Sequence, residues 1–505
     1  MMTARKHLGL RIDHLWPLVI LAGLAVYISL VPQSPNDFWW HLKIGELIST
    51  TGSIPTTNIF AWTLPAAQPF TYGAWLGEYL FYRLYLLGGV ELLLCTRTVL
   101  MVLTLALVGY EARRRTGSWR LAALPVLLVG LMSLNNLIVR PQIWSWLPFM
   151  AFYLLLSAYA DGDLRARWLW GLPLLMIFWV NAHGAFVLGP VLLGIFLVGE
   201  GTRTFLHHAG ALPWRKVRWL AAIFAATLLA TAFNPQFTGI YGYVWQMMTD
   251  APSQGLVVEW QSPTPHGIAN LVFFASVLLL FLLLAYARFR PTLTQALLLV
   301  AFLWLAWSGQ RYVIWFGLVA MLLLVQALHS LIPARYLNAP SPQNRLNLLL
   351  AVLLWLPVVL VQPWWVENLP LQESYWDLVW CAVDAGPLLD TLTPLGAVEY
   401  LRAHPGGQLF NEMGYGSYLI WALPEQKVFV DPRVELYPLE QWQDYLRINR
   451  GVRYNDLLAQ YGVDRLLLDR GEQSELILSL AGDPLWELEY EDEYAQIWQQ
   501  IANGK

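Results

Sequence analysis

Long apolar runs broken by short polar turns fill the chain up to about residue 363. They fall at roughly 14–31, 90–110, 119–136, 141–160, 168–183, 185–200, 219–234, 268–287, 292–308, 311–331 and 346–363. About twenty apolar residues cross the hydrocarbon core as a helix, and backbone groups in lipid must be bonded within their own segment. The pattern predicts about eleven transmembrane helices, with the short 168–200 pair read as brief spans or a re-entrant element. Between the first two spans, "FWWHLKIGELIST" (38–50) and "WLGEYLFYRLYLL" (75–87) mix apolar residues with charges at helical spacing. Both predict aromatic helices lying along the lipid–water interface.

Beyond residue 364 the pattern changes. "QLFNE", "KVFVD" and "VDRLLLD" read as short strands, "PLGAVEYLRAH", "QWQDYLRI" and "SELILSL" as helices, and "LWELEYEDEYAQIW" as a closing hairpin. In "NEMGYGSYLIWAL", Gly414 and Gly416 allow a tight turn before a helix capped by Ser417. The expected organisation is a polytopic α-helical domain over 1–363, with outer loops 32–89 and 235–267, followed by a soluble extracytoplasmic α/β domain over 364–505.

Composition supports this division. The chain is 57% hydrophobic and 13% charged, with mean hydropathy +0.47, which excludes a disordered chain and an ordinary soluble globule. Two cysteines, Cys95 and Cys381, cannot form a disulfide scaffold. The first span lacks a small-residue cleavage site and reads as a retained anchor. Basic segments "RKHLGLR", "EARRRTGSWR", "DGDLRAR", "PWRKVR", "RFRP" and "PARYLNAPSPQNR" precede the first span or fall between alternate later pairs. Eleven spans place them all on one side, cytoplasmic by the charge bias of short loops. The tail then lies outside an inner or plasma membrane. It holds 23 acidic residues against 9 Lys plus Arg, which leaves no nucleic-acid footprint.

The outer rim collects the candidate chemistry. Asp37 and His41 follow the first span, Glu78 sits in the second interfacial helix, and Arg140, His183, Glu259 and Arg311 fall in turns at the same depth. Polar residues at this depth are costly unless paired or wet, although short interhelical turns also need polar caps. Arg140 and Arg311 can clamp a phosphate through rigid paired donors, with His41, Glu78, His183 and Glu259 as further substrate-binding candidates. Asp37 can take a proton from a hydroxyl nucleophile, or hold a divalent cation such as Mg or Mn. In the tail, Asp431, Arg433 and Glu435 either bind a glycan or metal at a strand end or form a salt-bridged loop docking the tail; docking is the stronger reading. No GxGxxG, P-loop, HExxH, CxxC pair or GxSxG is present.

Together, "NDFWWH", "FWWHLKIGELISTTGSIPTTNIFAWT", "TYGAWLGEYLFYRLYLLGG" and "LFNEMGYGSYLIWALPEQKVFVDPRVELYP" resemble polytopic GT-C-type glycosyltransferases, in particular RgtA/B/C/D-like and related uncharacterised bacterial branches. The resemblance implies a polyprenyl-phosphate sugar donor, a lipid, glycan or protein acceptor outside the cytoplasm, and a variable outer C-terminal domain. It implies that Asp37, in the first outer loop, activates the acceptor or helps bind a metal. Position 36 is Asn, so the adjacent acid pair of that family is missing, and Glu78 or Glu259 stands in for its second acid. A lipid or polysaccharide transporter would instead carry polar groups through its span interiors and an inverted repeat. A non-enzymatic assembly protein would use the tail to bind a partner.

Overall fold

The computed structural model describes residues 10–337, 344–366, 388–390 and 392–501; Cys381 lies outside them. Each apolar run is a helix there. In chain order the elements up to residue 329 are α1 (Ile12–Leu30), α2 (Phe38–Thr51), α3 (Trp75–Thr116), α4 (Trp119–Met132), α5 (Ile143–Ala160), α6 (Gly171–Ala182), α7 (Leu188–Phe205), α8 (Trp214–Ala230), α9 (Gly239–Thr249), α10 (Ala251–Leu256), α11 (Ile268–Tyr286), α12 (Leu293–Ser308) and α13 (Val313–His329). A last apolar helix covers Arg345–Leu360.

Among the described residues, not every apolar helix is long enough to cross a membrane by itself. Six helical segments are long and apolar enough to span a membrane: Ile12–Leu30, Trp75–Thr116, Ile143–Ala160, Gly184–Phe205, Ile268–Tyr286 and Gln310–His329. Trp119–Met132, Leu293–Ser308 and Arg345–Leu360 are shorter, as is α6. The rim turns explain part of the shortening. Several runs end or begin in a single 3₁₀ turn, at Leu134–Asn136, Gly184–Val187 and Gln310–Tyr312, so polar residues replace the last turn of regular helix.

α3 joins the second interfacial helix to the second span. They meet at Gly88 and Gly89, where Gly89 adopts φ 64°, ψ −160°, a region open essentially to glycine. Gly45 of α2 packs directly on α3, and a Cβ there would lie 2.1 Å from the Glu78 carbonyl oxygen. This close approach brings the side chains of the two interfacial helices together.

Charge sorts the two ends of the bundle. At one end Arg114 binds Glu111 (2.8 Å), Asp161 and Asp163 (both 2.7 Å), Arg115 binds Glu111 (2.6 Å), and Arg120 binds Asp13 (2.7 Å). These pairs tie the end of α3 and start of α4 to the end of α5 and start of α1. Nearer the opposite end, Arg97 of α3 is fully buried. It donates to the carbonyls of Ile28 (2.6 Å), Val31 (2.8 Å) and Leu137 (2.9 Å), satisfying acceptors where α1 ends.

The tail forms a four-stranded sheet, ordered β1-β2-β4-β3. β1 (Leu409–Asn411) runs parallel to β2 (Arg465–Asp469), while β4 (Ala495–Gln500) pairs antiparallel with β2 and with β3 (Trp486–Glu491). Two local expectations fail. "KVFVD" joins no ladder: Val428 makes a lone parallel bridge to Ala61, because its backbone bonds go to Phe60 (3.0 Å) and Trp62 (3.1 Å) of the first outer loop. Ser417 is not a helix cap. The helix Met413–Ala422 is capped by Glu412, which accepts from the Tyr415 amide at 2.8 Å. Gly416 is needed for closeness rather than for a turn, since its Cβ would lie 2.4 Å from the Val430 carbonyl oxygen.

The first outer loop shares a core with the tail. Trp40, Ile44, Phe60, Phe70 and Tyr72 pack in one cluster with Phe410, Leu419, Phe429 and Tyr445, and Ser417 Oγ accepts from the Trp40 amide at 3.2 Å. At the centre Arg433 binds Asp431 through two nitrogens, at 2.8 and 2.6 Å, with both side chains fully enclosed. Tyr437 donates to Asp431 (2.5 Å), Arg433 donates to the Tyr72 hydroxyl (3.1 Å), and its guanidinium lies over Phe60 and Phe70. Replacing Arg433 by Met leaves the Asp431 carboxylate buried without its counterion. The expected cost is about 3–5 kcal/mol, read as a lower thermal midpoint with faster proteolysis of the tail, and restored in part when Asp431→Asn is added.

Candidate functional site

Asp37 occupies the N-cap position of α2, where the chain leaves α1. Its Oδ1 lies 3.5 Å from Trp40 Nε1, and its Oδ2 lies 3.7 Å from Arg140 Nη1. Arg140 comes from the turn before α5, and Pro141 follows it. The same Nη1 donates to both oxygens of Glu259, at 3.0 and 2.8 Å, and Glu259 sits on a 3₁₀ turn, Val258–Trp260, of the second outer loop. Arg311 opens the approach to α13, and its guanidinium lies 4.3 Å from the Trp260 ring centroid. Residues 37, 140, 259 and 311 therefore meet at one rim although the sequence separates them widely.

Arg140 is 93% buried, since its relative exposure is 7%, yet Nε and Nη2 carry no hydrogen bond among the described residues. These two nitrogens form one edge of the guanidinium fork, the geometry that binds an oxyanion through two parallel bonds. Among the described residues Arg311 forms no ion pair or hydrogen bond to a side chain, and it adds a second, stacked cation. The rim therefore holds a buried guanidinium edge without a partner among the described residues, beside a second, stacked cation.

Two histidines border this face. His183 follows α6, and its Nδ1 accepts from the Ala185 amide (3.2 Å) and lies 2.9 Å from Ser145 Oγ, which itself accepts from Trp179 Nε1 (2.8 Å). A backbone N–H can only donate, so in the neutral ring the proton sits on Nε2. His41 lies one turn after Asp37 on the same face of α2. Its Nδ1 is 2.7 Å from Glu78 Oε1, and its ring packs on Trp40 at 3.6 Å between centroids. Glu78 Oε2 is sealed without a partner.

Electrostatics separates the carboxylates. Burial raises the Asp37 pKa above the usual carboxylate range, against the pull of Arg140. Burial also acts on Glu259, but Arg140 and Arg311 outweigh it and hold this acid below its usual value. Glu259 is the fixed anion of the pair, and Asp37 the one that gains a proton more readily.

Of the tail candidates, Asp431 and Arg433 are spent on each other in the docking pair. Glu435 differs: it is half-buried on the 3₁₀ turn Val434–Leu436. Burial, with the Asp37 and Asp250 charges, pushes its pKa up to about 7. Other rim polar residues serve the turns. Asn181 accepts from Trp75 Nε1 (2.7 Å) and donates to the Phe233 carbonyl, Gln142 donates to Asn136, and Asn270 donates to Gln310. A groove of about 580 Å³ lined by Trp75, Asn181, Phe233, Asn234 and Phe237 opens beside them, but Asp37 and Arg140 do not line it. Ser145 and Trp179 belong to the site's support and carry no motif that singles them out in sequence.

The residues around Asp37 do not fit a metal centre. Among the described residues no group of three His, Cys, Asp or Glu side chains could hold an ion, and the Asp37 carboxylate already faces the Arg140 guanidinium.

The fold, an apolar helical bundle with a small C-terminal sheet region, is similar to that of solved membrane-embedded transferases. The archaeal oligosaccharyltransferase AglB from Archaeoglobus fulgidus, solved with an inhibitory peptide and a dolichol-phosphate, superposes with TM-score 0.53 at 14% identity, over 90% of this chain and 69% of that one. The apo form of the Archaeoglobus fulgidus oligosaccharyltransferase gives TM-score 0.52 at 14% identity, over 94% and 71%. Arabinofuranosyltransferase AftD from Mycobacteria gives TM-score 0.53 at 15% identity over 98% of this chain, which spans 42% of its length. No protein-family model and no curated protein sequence matches the chain.

The Glu435 pKa gives a signed stability effect. Its folded value of about 7 lies above the ordinary value of 4.5, so the folded state keeps a proton that the unfolded state loses over that interval. The stabilisation is complete below about pH 4.5 and is lost as pH rises through 7. Glu435→Gln should therefore raise the thermal midpoint relative to wild type more at pH 8 than at pH 4.5, read by parallel melts in detergent.

Proposed function

We propose that this chain is a membrane glycosyltransferase moving a sugar from a polyprenyl-phosphate donor to an acceptor hydroxyl on the extracytoplasmic side. The observation that carries the reading is the buried, unpaired Nε/Nη2 edge of Arg140 beside Asp37. An anion belongs on that edge, and a carboxylate able to take a proton lies next to it. The fold likeness to AglB, a protein solved with a dolichol-phosphate, supports a lipid-linked phosphate as that anion. A glycan, a lipid or a protein can present the acceptor hydroxyl. The bundle end carrying the Arg114 and Arg120 ion pairs then faces the cytoplasm, and the rim and the tail face outward, in keeping with the charge bias of the loops.

In this mechanism Arg140 and Arg311 hold the donor phosphate, and His183 Nε2–H supplies a neutral third donor. The acceptor oxygen attacks the anomeric carbon, and the bond from that carbon to the phosphate oxygen breaks. Its electron pair leaves with the phosphate, where the two guanidiniums stabilise the added charge. Asp37 receives the acceptor's hydroxyl proton. Glu259 keeps Arg140 oriented and leaves its fork edge free. No covalent enzyme intermediate is needed.

Asp37→Asn keeps the size and polarity of the side chain but removes the proton acceptor. Consumption of a polyprenyl-phosphate sugar, followed by mass spectrometry, should fall about 10²–10⁴-fold with the thermal midpoint retained. Arg140→Lys should weaken donor binding, because an ammonium cannot form the paired contact. Turnover by Asp37→Asn equal to wild type removes the catalytic assignment.

A further inference from the structure

Glu78 lies in the interfacial part of α3, ahead of the glycine break, with 1% of its surface exposed. One oxygen, Oε2, is sealed without a partner, and the other, Oε1, lies 2.7 Å from His41 Nδ1. The mechanism above gives this pair no task. Among the described residues no Lys or Arg pairs with the carboxyl, since Arg433 is held by Asp431 and the Tyr72 hydroxyl. The imidazole beside it is neutral, because burial, followed by His183, Arg140 and Arg433, drives its pKa well below the ordinary value. A carboxylate here would strand a full charge with one oxygen unbonded, which costs far more than a neutral acid. Burial accordingly pushes the Glu78 pKa up to about 8, against the pull of Arg433. The acid hydrogen has one acceptor within reach, His41 Nδ1, so Glu78 donates and the ring keeps its own proton on Nε2.

His183 repeats the arrangement from the other side of the rim. The Ala185 amide donates to its Nδ1, and Ser145 Oγ, itself accepting from Trp179, lies 2.9 Å from the same nitrogen. Each ring thus has its inner nitrogen engaged by a buried donor. Neither Nε2 has a protein partner among the described residues.

We propose that Glu78 is a neutral carboxylic acid that holds His41 as an Nε2–H donor, so that His41 and His183 together give two uncharged donors to the phosphate bound by Arg140; this rests on the glycosyltransferase reading. Uncharged donors add hydrogen bonds to an anion without adding repulsion beside two guanidiniums. Glu78 touches no substrate: it is a positioning residue that acts through His41. Gly45 fixes the distance over which it acts, by seating α2 against the Glu78 backbone carbonyl.

The arrangement carries a pH dependence of definite sign. Glu78 is faced by His41 from α2, Tyr72 from the first outer loop, Tyr243 from α9 and Arg433 from the tail. His41 is faced in addition by His183, Arg140 and, on its own helix, Asp37. Burial raises both phenols, Tyr72 to about 12, the imidazoles stay neutral, and the donor's phosphodiester does not titrate near neutrality. Glu78 therefore ionises alone as pH rises through about 8. It then becomes an acceptor and draws the ring proton to Nδ1, which leaves a lone pair on Nε2 facing the anion. Donor binding is intact below that pH and weakens above it.

The test uses the full-length protein in nanodiscs with isotope-labelled histidine. Nitrogen NMR near neutral pH should show His41 protonated on Nε2 and bare on Nδ1, with the signals assigned by their loss in His41→Gln. The proton should move to Nδ1 as pH rises through about 8. In Glu78→Gln the amide nitrogen donates in place of the acid, so the Nε2–H form should persist at high pH. With a polyprenyl-phosphate sugar, the wild-type donor KM should rise about tenfold across the same interval, the worth of one hydrogen bond to a charged group. Glu78→Leu should show the raised KM at every pH, and Glu78→Gln should rescue it and abolish the pH dependence. A wild-type His41 protonated on Nδ1 near neutral pH overturns the proposal, as does a pH-driven proton shift that survives in Glu78→Gln. A folded Glu78→Leu protein with the wild-type KM overturns it too. Wild type that consumes no lipid-phosphate sugar overturns the transferase reading, and the nitrogen spectra still decide whether Glu78 sets the tautomer of His41.

Discussion

The rim is organised by one guanidinium, that of Arg140, placed where water is scarce and where an unpaired charge is expensive. One of its nitrogens holds Glu259 through both carboxylate oxygens and lies 3.7 Å from Asp37, while the opposite edge of the fork has no partner. In a low-dielectric setting this arrangement stays folded because Glu259 neutralises the cation. It also stays receptive, because neutralisation through one nitrogen leaves two donors aimed elsewhere. The same cation opposes the burial effect on Asp37 and so limits how far that acid is driven towards neutrality. Charge balance at this point sets both the anion-binding capacity and the proton affinity of the site.

The tail contributes to this balance. Its core encloses Trp40, Phe60 and Tyr72 of the first outer loop, and the Asp431–Arg433 pair fixes the loop that carries Glu435. Asp37, the proposed base, is thus held between the apolar helices and the tail sheet. An interfacial helix alone has only its apolar face to position it. α2 also has a hydrogen bond from its first-turn amide to Ser417, and Gly45 seated against α3. Such support from two sides is what fixes a side chain to within a fraction of an ångström, as the proposed transfer requires of Asp37.

Much of this was legible in the sequence, and the failures have physical causes. Apolar run lengths located the helices, and the break between 75–87 and 90–110 falls at the glycine pair, where the chain must leave helical geometry. The rim residues were legible as polar groups at one depth, but their partners were not. Nothing in the spacing of 140 and 259 says that an arginine there binds a glutamate. "KVFVD" reads as a strand because its composition is that of a strand, yet its hydrogen bonds go to residues some 370 positions earlier. Ser417 and Gly416 were misread for the same reason: capping and turn rules are local, and these residues are set by tertiary contacts to Trp40 and Val430. Arg97 sits inside an apolar run and Glu111 and Glu200 at the ends of two others, where average hydropathy conceals them. The structure shows each to be bonded, Arg97 to three carbonyls, Glu111 to two arginines and Glu200 to Arg203 and Thr294.

These interior ions also bear on the choice between transport and transfer. A pathway through the bundle needs polar groups that a passing solute can reach, and discontinuous helices at the midplane. Arg97, Glu111 and Glu200 are instead enclosed and bonded to protein groups, Arg97 through both terminal nitrogens. At the rim, between the two loops and the tail, Arg140 keeps one guanidinium edge without a partner among the described residues. A free guanidinium edge at one end of the bundle suits the proposed transfer at a membrane-anchored head group, with the helices acting as a rigid anchor for that end.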